Sequence, residues 1–265
     1  MPHESPIDRN DDPSFYLKDM FRRFRLAVYP EPGSLADDEV HIFYADVDSL
    51  LCCAGILEET LSDTENFKKD RFLFGKDRSS YIVSHGVLRV ILGSYLGEEP
   101  KNLVFINGPH GKPMLDGGSD QDALRFSVSH SNRRALYAIN RGREIGVDLE
   151  KIRPEFSFEE ISDKYFSARE AAFLRTRPVH DRKEAFFTYW TLKEAFMKGT
   201  GEGFSLPLNR FEITHDPPKV VSLQGYSEAA AQWSIRSMHL EPGYAAALAV
   251  EGPDLPIRCW KLQLR

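Results

Sequence analysis

Residues 181–199 carry a long helical period, and Gly199, Gly201 and Gly203 end it. Phe186, Phe187, Trp190 and Met197 give this helix apolar side chains that need a partner surface. The flanking segments offer sheets. Residues 144–149 read as a strand upstream, and 211–214, 233–238 and 245–250 read as strands downstream, with Pro242-Gly243 as a turn between the last two. Shorter helical patterns at 157–164 and 168–175 fill the interval, the second with the capping-box spacing of Ser167 and Glu170.

An earlier cycle has the same grammar. Residues 40–46 have strand composition, and 77–96 place Tyr81, Ile82, Leu88, Ile91, Leu92 and Tyr95 at helix-like spacing. The turn cluster Gly108-Pro109-His110-Gly111-Lys112-Pro113 precedes two short strands, 126–129 and 135–139, joined as a hairpin around Ser131-Asn132-Arg133. The expected class is therefore α+β, in two halves meeting near residue 145: an N-terminal half at 38–144 and a C-terminal half at 145–265. Residues 1–37, interrupted by Pro2, Pro6, Pro13, Pro30 and Pro32, read as a loosely ordered N-terminal extension. No repeat of 20–50 residues occurs, which disfavours solenoids and propellers.

Composition narrows the setting. Cys52, Cys53 and Cys259 are an odd number without metal-ligand spacing, so the chain suggests neither a disulfide framework nor a zinc site, and a reducing, cytoplasmic compartment is expected. With 34 basic against 40 acidic residues and no basic block, nucleic acid is not an expected partner. No apolar run has bilayer length, so no membrane is expected either.

The chemistry concentrates in two places. Asp148 and Glu150 flank Leu149, and strand alternation projects both carboxylates from one face. Like charges held this close call for a cation, and Mg2+ takes one or two carboxylates plus substrate phosphates. The plain alternative is a solvated strand end beside Lys151 and Arg153. Glu194 and Lys198, four apart on the long helix, share a face, and taken alone they are an ordinary surface ion pair. The glycines just beyond can bring backbone close to a ligand. His130, after Ser127 and Ser129 at a strand tip, could meet a phosphate or could be merely packed, and Lys112 in isolation is a turn lysine. Together these features suggest a phosphate-bearing anionic substrate and a divalent metal without naming a reaction.

In order along the chain, Gly111-Lys112-Pro113, Ser127-Val128-Ser129-His130-Ser131, Gly146-Val147-Asp148-Leu149-Glu150-Lys151, Phe166-Ser167 with Glu170, and Trp190 through Lys193-Glu194-Ala195-Phe196-Met197-Lys198 to Gly201, Gly203 and Ser205-Leu206-Pro207-Leu208 resemble the 4'-phosphopantetheinyl transferases of the surfactin-synthetase-activating (Sfp) type. The likeness covers most of residues 40–265. It implies a pseudo-dimer of two similar α/β halves with coenzyme A in the cleft between them, acting as a monomer. It further implies Mg2+ held by Asp148, Glu150 and Glu194. Lys112, Ser129 and His130 match cofactor-binding positions, and Lys193, Arg71 and Lys68 join that set. Lys198 would bind the α-phosphate and assist the leaving group, while Glu194 would remove the proton of the attacking serine, directly or through a water on the metal. Ser80 stands where the family usually has a basic residue, and Arg78, Arg71 and Lys68 are nearby in sequence. The implied reaction transfers phosphopantetheine from coenzyme A to a serine of an apo acyl or peptidyl carrier protein. Two other readings use the same residues: a metal-dependent phosphohydrolase acting on a nucleotide-like substrate, and a non-catalytic module that binds carrier proteins. A structural domain without any ligand would make every motif a coincidence.

Overall fold

The computed structural model describes residues 22–24, 26–29, 35–117, 123–223 and 227–264. Most of the expected extension at 1–37 lies outside these. Contacts divide the described chain into two compact units, one built on Asp46–Leu103 with residues 26–29 and 260–264, the other on Leu35–Ala45 and Val104–Cys259.

The first unit is mainly helical. Short helices α1 (Val47–Leu50) and α2 (Ala54–Glu58) lead to α3 (Asp63–Asp70), and α4 (Gly75–Leu96) follows. α3 has no apolar stripe; Ser62 starts it by a capping box, its hydroxyl accepting from the Glu65 N–H while the Glu65 carboxylate accepts from the Ser62 N–H. α4 buries Val83, Val87, Val90 and Ile91 completely. At Gly86 an added Cβ would lie 2.8 Å from Leu57 Cβ, so α2 and α4 meet where only glycine fits. Buried Arg89 then ties the unit together, donating to Glu65 Oε2 at 2.6 Å and to the carbonyls of Pro100 and Leu103 at 2.7 and 3.0 Å. Burial pushes the Glu65 carboxyl up, but the His85 and Ser62 hydrogen bonds and the Arg89 charge outweigh it and hold the group down at about 2. β1 (Leu26–Tyr29) pairs antiparallel with β12 (Ile257–Leu264).

The second unit holds the sheets. Its strands are β2 (Val40–Asp46), β3 (Phe105–Asn107), β4 (Pro113–Leu115), β5 (Leu124–Ser131), β6 (Arg134–Arg141), β7 (Ile145–Lys151), β8 (Phe211–His215), β9 (Pro218–Leu223), β10 (Trp233–Met238) and β11 (Tyr244–Glu251). Helices α5 (Glu159–Tyr165), α6 (Ala168–Thr176), α7 (Val179–Thr200) and α8 (Ser227–Ala230) complete it. β2, β6 and β5 lie side by side, and β10, β11 and β7 form a second sheet. Ile145, Val147 and Leu149 of β7, with Ala246, Leu248 and Val250 of β11, pack against Val40, Ile42, Leu136 and Ala138.

The opposite face of β7 and β11 is built for close approach. Gly146, Asp148 and Glu150 stand across from Ala249, Ala247 and Ala245. The alanines leave room for α7, whose Leu192, Ala195 and Phe196 pack on Ala247 and Ala249. At Gly146 any Cβ would overlap the Ala195 carbonyl oxygen and the Gly199 amide nitrogen. At Gly199 a Cβ would lie 2.7 Å from the Trp233 ring. The α+β class is as expected, but the contacts do not separate near residue 145. β5 and β6 cluster with β7 because serine hydroxyls on β5 bond to β7 amides, 127 to 147 at 3.0 Å and 131 to 151 at 3.1 Å.

Lys193, expected among the cofactor-binding residues, is a core lysine instead. Its side chain is fully buried, and its three ammonium protons go to Glu170 Oε1 at 2.9 Å and to the carbonyls of Leu208 and Phe211 at 2.8 Å each. It also lies 4.2 Å from the centroid of the Phe211 ring. Burial pulls its pKa down, with the Glu170 carboxylate opposing. Glu170 completes the knot, accepting from Ser167 N at 2.8 Å and Ile213 N at 2.9 Å. The reason for the correction is geometric: residue 193 points into the core one position before the face that carries Glu194 and Lys198.

Two outcomes follow for stability. Gly146→Ala should cost about 1–3 kcal/mol or more, because backbone on both sides must move, and urea unfolding will measure it. Lys193→Met, which strands Glu170, should cost about 3–5 kcal/mol, and adding Glu170→Gln should recover part of that loss; equal stability of the single and double variants would contradict the pairing.

Candidate active site

The site is built where β5, β7 and α7 come together. β7 is the edge strand of its sheet, and Ser127, Ser129 and Ser131, spaced two apart on one face of β5, cover that edge. Their hydroxyls accept from the N–H groups of Val147, Leu149 and Lys151 at 3.0, 3.2 and 3.1 Å. Two of them also donate. Ser129 Oγ reaches Asp148 Oδ1 at 2.8 Å and Ser131 Oγ reaches Glu150 Oε2 at 2.7 Å.

The close contact at Gly146 sets α7 at the height that brings Glu194 and Lys198, half-buried and four residues apart, over the β7 carboxylates. Lys198 Nζ donates to Asp148 Oδ1 at 2.7 Å and to Ser129 Oγ at 2.9 Å. Ser129 thus has one donated and two accepted bonds, the full capacity of a hydroxyl. Burial, then the Asp148 charge, push the Glu194 carboxyl up to about 7; Lys198 pulls the other way and Glu150 adds to the rise. Burial also raises Glu150, with the Ser131 hydrogen bond opposing and Asp148 adding. Three carboxylates and one ammonium therefore share a half-buried space with an excess of negative charge.

This arrangement fits a divalent cation. Asp148 is buried, and its Oδ2 has no hydrogen-bond partner, an expensive condition for a carboxylate oxygen that a cation relieves. Among the described residues no group of three or more His, Cys, Asp or Glu side chains is closed up into a metal cage. Mg2+ does not need one, since it binds through one or two carboxylates with waters and substrate phosphates.

The remaining expected residues are distributed differently. Lys112 Nζ spends its protons on Glu144 Oε2 at 2.7 Å, Gly199 O at 2.9 Å and Ile145 O at 3.1 Å, joining the start of β7 to the end of α7. Burial lowers its pKa, with Glu144 opposing. Ser129 is buried, and its hydroxyl is committed to Asp148, Leu149 and Lys198, where it holds the site together. His130 is exposed and, by strand alternation, stands on the other face of β5. Lys68 and Arg71 are exposed at the end of α3 in the first unit, where Arg78 pairs with Asp70 at 2.7 Å and Ser80 Oγ donates to the Lys76 carbonyl at 2.7 Å. Gly201 serves as the left-handed cap of α7 at φ 72°, its N–H donating to Met197 O. Ser131 and Glu170 were named in the sequence only as members of a motif and a capping box; their bonds to Glu150 and to Lys193 were not foreseen. The alternation of three serines at strand period was visible, but its apposition to the strand at 144–149 was not.

Comparison with known proteins places the chain. A family model for the 4'-phosphopantetheinyl transferase superfamily matches residues 144–249, and one for the N-terminal part of 4'-phosphopantetheinyl transferases matches 55–140. The 4'-phosphopantetheinyl transferase HetI of Nostoc sp. is 37% identical over 233 residues, which is 87% of this chain and 96% of the relative. Sfp of Bacillus subtilis, also a 4'-phosphopantetheinyl transferase, is 27% identical over 74% of this chain and 84% of its own. The solved holo-[acyl-carrier-protein] synthase of Thermotoga maritima aligns with 42% of this chain and 64% of its own at 19% identity, with a TM-score of 0.34, so the assignment rests on the sequence relatives. By the length and identity of the match to HetI, this chain belongs to the 4'-phosphopantetheinyl transferase superfamily and is an enzyme of that class.

Proposed function

We propose that the cluster of Asp148, Glu150, Glu194 and Lys198 carries out the transfer, moving the 4'-phosphopantetheine arm of coenzyme A onto a serine hydroxyl of an apo acyl or peptidyl carrier protein. The observation that carries this reading is geometric: Lys198 Nζ donates to Asp148 Oδ1 and Ser129 Oγ beside the buried, unpaired Asp148 Oδ2, with Glu194 four residues earlier on the same helix face. Burial and the Asp148 charge push the Glu194 carboxyl up to about 7, so near neutral pH about half of it is ionised and able to take the proton of a serine hydroxyl. The acceptor oxygen forms its bond to the β-phosphorus as the bond to the bridging oxygen breaks. 3',5'-Adenosine diphosphate leaves with the electron pair, and the serine proton passes to Glu194. Lys198, anchored on Asp148 and Ser129, presents an ammonium to the leaving phosphate. Asp148, Glu150 and Glu194 would hold Mg2+, which when bound offsets charge on the phosphoryl oxygens.

His130, Lys68 and Arg71 are proposed to contact the cofactor's phosphates, on the strength of the family motif and their exposure. The enzyme is read as a cytoplasmic monomer, without nucleic acid or membrane as a partner. An odd count of three cysteines and a net charge of −6 support that setting, and among the described residues no helix is long and apolar enough to cross a membrane.

The direct test incubates the protein with coenzyme A, Mg2+ and an apo carrier protein and reads the carrier's intact mass. A gain of one phosphopantetheine is expected, with Asp148→Ala and Glu194→Gln each slowing transfer by about 100-fold or more. Consumption of coenzyme A with no gain on any carrier would favour hydrolysis instead. A second outcome concerns pH. The folded protein keeps the Glu194 proton up to about pH 7, against an ordinary value of 4.5. The stability this group contributes is therefore full below pH 4.5 and is lost as the pH rises through 7, on the order of 1–3 kcal/mol. Without added metal, thermal unfolding should show that decline, and Glu194→Gln should flatten it.

A further inference from the structure

The serine ladder on β5 does two separable jobs. Ser127, Ser129 and Ser131 each close one N–H on the edge of β7, at Val147, Leu149 and Lys151. The hydroxyl proton is left over, and what it meets depends on the β7 residue beside it. Opposite Ser129 and Ser131 it meets the carboxylates of Asp148 and Glu150, at 2.8 and 2.7 Å. Opposite Ser127 the corresponding β7 residue is Gly146, which has no side chain to receive it.

From this we infer that Ser131 is a positioning residue for the cation site: its hydroxyl fixes the rotamer of Glu150, and without it the carboxylate loses its aim at the cation. The inference rests on the proposed metal role of Asp148, Glu150 and Glu194. Three features make Ser131 suited to the task. Its own place is rigid, because Ser131 pairs with Arg134 across a two-residue hairpin turn in which Asn132 and Arg133 both take positive φ, 50° and 94°. Its hydroxyl is oriented by the bond it accepts from Lys151 N, so the proton is directed at Glu150. And the carboxylate keeps its second oxygen for a ligand, since Ser131 engages Oε2. Ser129 performs the same office for Asp148 but also carries Lys198, so Ser131 gives the cleaner test. Outer partners of metal-binding carboxylates typically matter by about 10–100-fold in metal affinity.

Ser127 supplies an internal control, because Ser127→Ala removes the same kind of edge bond without touching a carboxylate. The experiment titrates Mn2+ alone into wild type, Ser131→Ala, Ser131→Thr, Ser127→Ala and Asp148→Ala, reading free Mn2+ by electron paramagnetic resonance, with thermal unfolding alongside. Ser131→Ala should weaken Mn2+ binding by about 10-fold or more, and Ser131→Thr, which keeps the hydroxyl, should restore it. Ser127→Ala should lower the melting temperature while leaving Mn2+ affinity as in wild type. Wild-type affinity in Ser131→Ala would overturn the inference while leaving the metal site standing. An equal loss in Ser127→Ala would overturn it too, by tracing the effect to the strand edge. If wild type binds no Mn2+ at millimolar concentration, or Asp148→Ala binds it unchanged, the metal reading itself fails and the inference goes with it.

Discussion

Backbone contact between Gly146 and the last turns of α7 sets the geometry of everything else. Where most helices rest on a sheet through side chains, here the Gly146 α-carbon lies directly under the Ala195 carbonyl and the Gly199 amide. The alanines at 245, 247 and 249 lower the neighbouring strand surface to match. A helix seated this deep brings residues 194 and 198 level with carboxylates only two and four positions along the strand from the contact. Larger residues at these points would lift α7 and spread the acidic groups apart.

The same closeness creates an electrostatic problem. Asp148, Glu150 and Glu194 are poorly hydrated, and the rise of the Glu194 carboxyl to about 7 is the response of the free protein. Lys198 offsets part of the repulsion and Ser129 and Ser131 another part, yet Asp148 Oδ2 is left unpaired. In the proposed function the acidic cluster is in this sense preorganised for a cation that carries phosphate with it. Elsewhere in the same unit a buried charge is resolved internally: Lys193 meets Glu170 and two carbonyls and has nothing left to offer.

Much of this was legible in the chain. Strands at 40–46, 233–238 and 245–250 and the long helices at 77–96 and 181–199 were readable because their apolar periods are strong, and the structure has them within a few residues. α3 was not read, because Phe67 is its one apolar residue and is exposed, so no period marks it; only Ser62 and Glu65 at capping-box spacing signalled it. β9 and β12 were missed for a related reason, having few buried positions to mark a period. At the site, Asp148, Glu150, Glu194 and Lys198 do converge. Lys193 and Lys112 turn inward onto carbonyl groups that no local pattern reveals, because a lysine's charge says nothing about which way its side chain points.

Lys112 and the serine ladder, taken together, limit how the site can move. Lys112 pins the first residue of β7 to the end of α7 through Ile145 O and Gly199 O, and Ser131 pins the last residue of β7, Lys151, to the hairpin mouth. A strand held at both ends and in the middle cannot slide along the helix or rotate about its axis without breaking several bonds at once. The freedom that remains is torsional, in the side chain of Glu194, since Ser131 holds Glu150. Adaptation to a ligand therefore falls to the Glu194 carboxylate turning on a stationary frame, with the backbone acting as a chassis and not as a hinge.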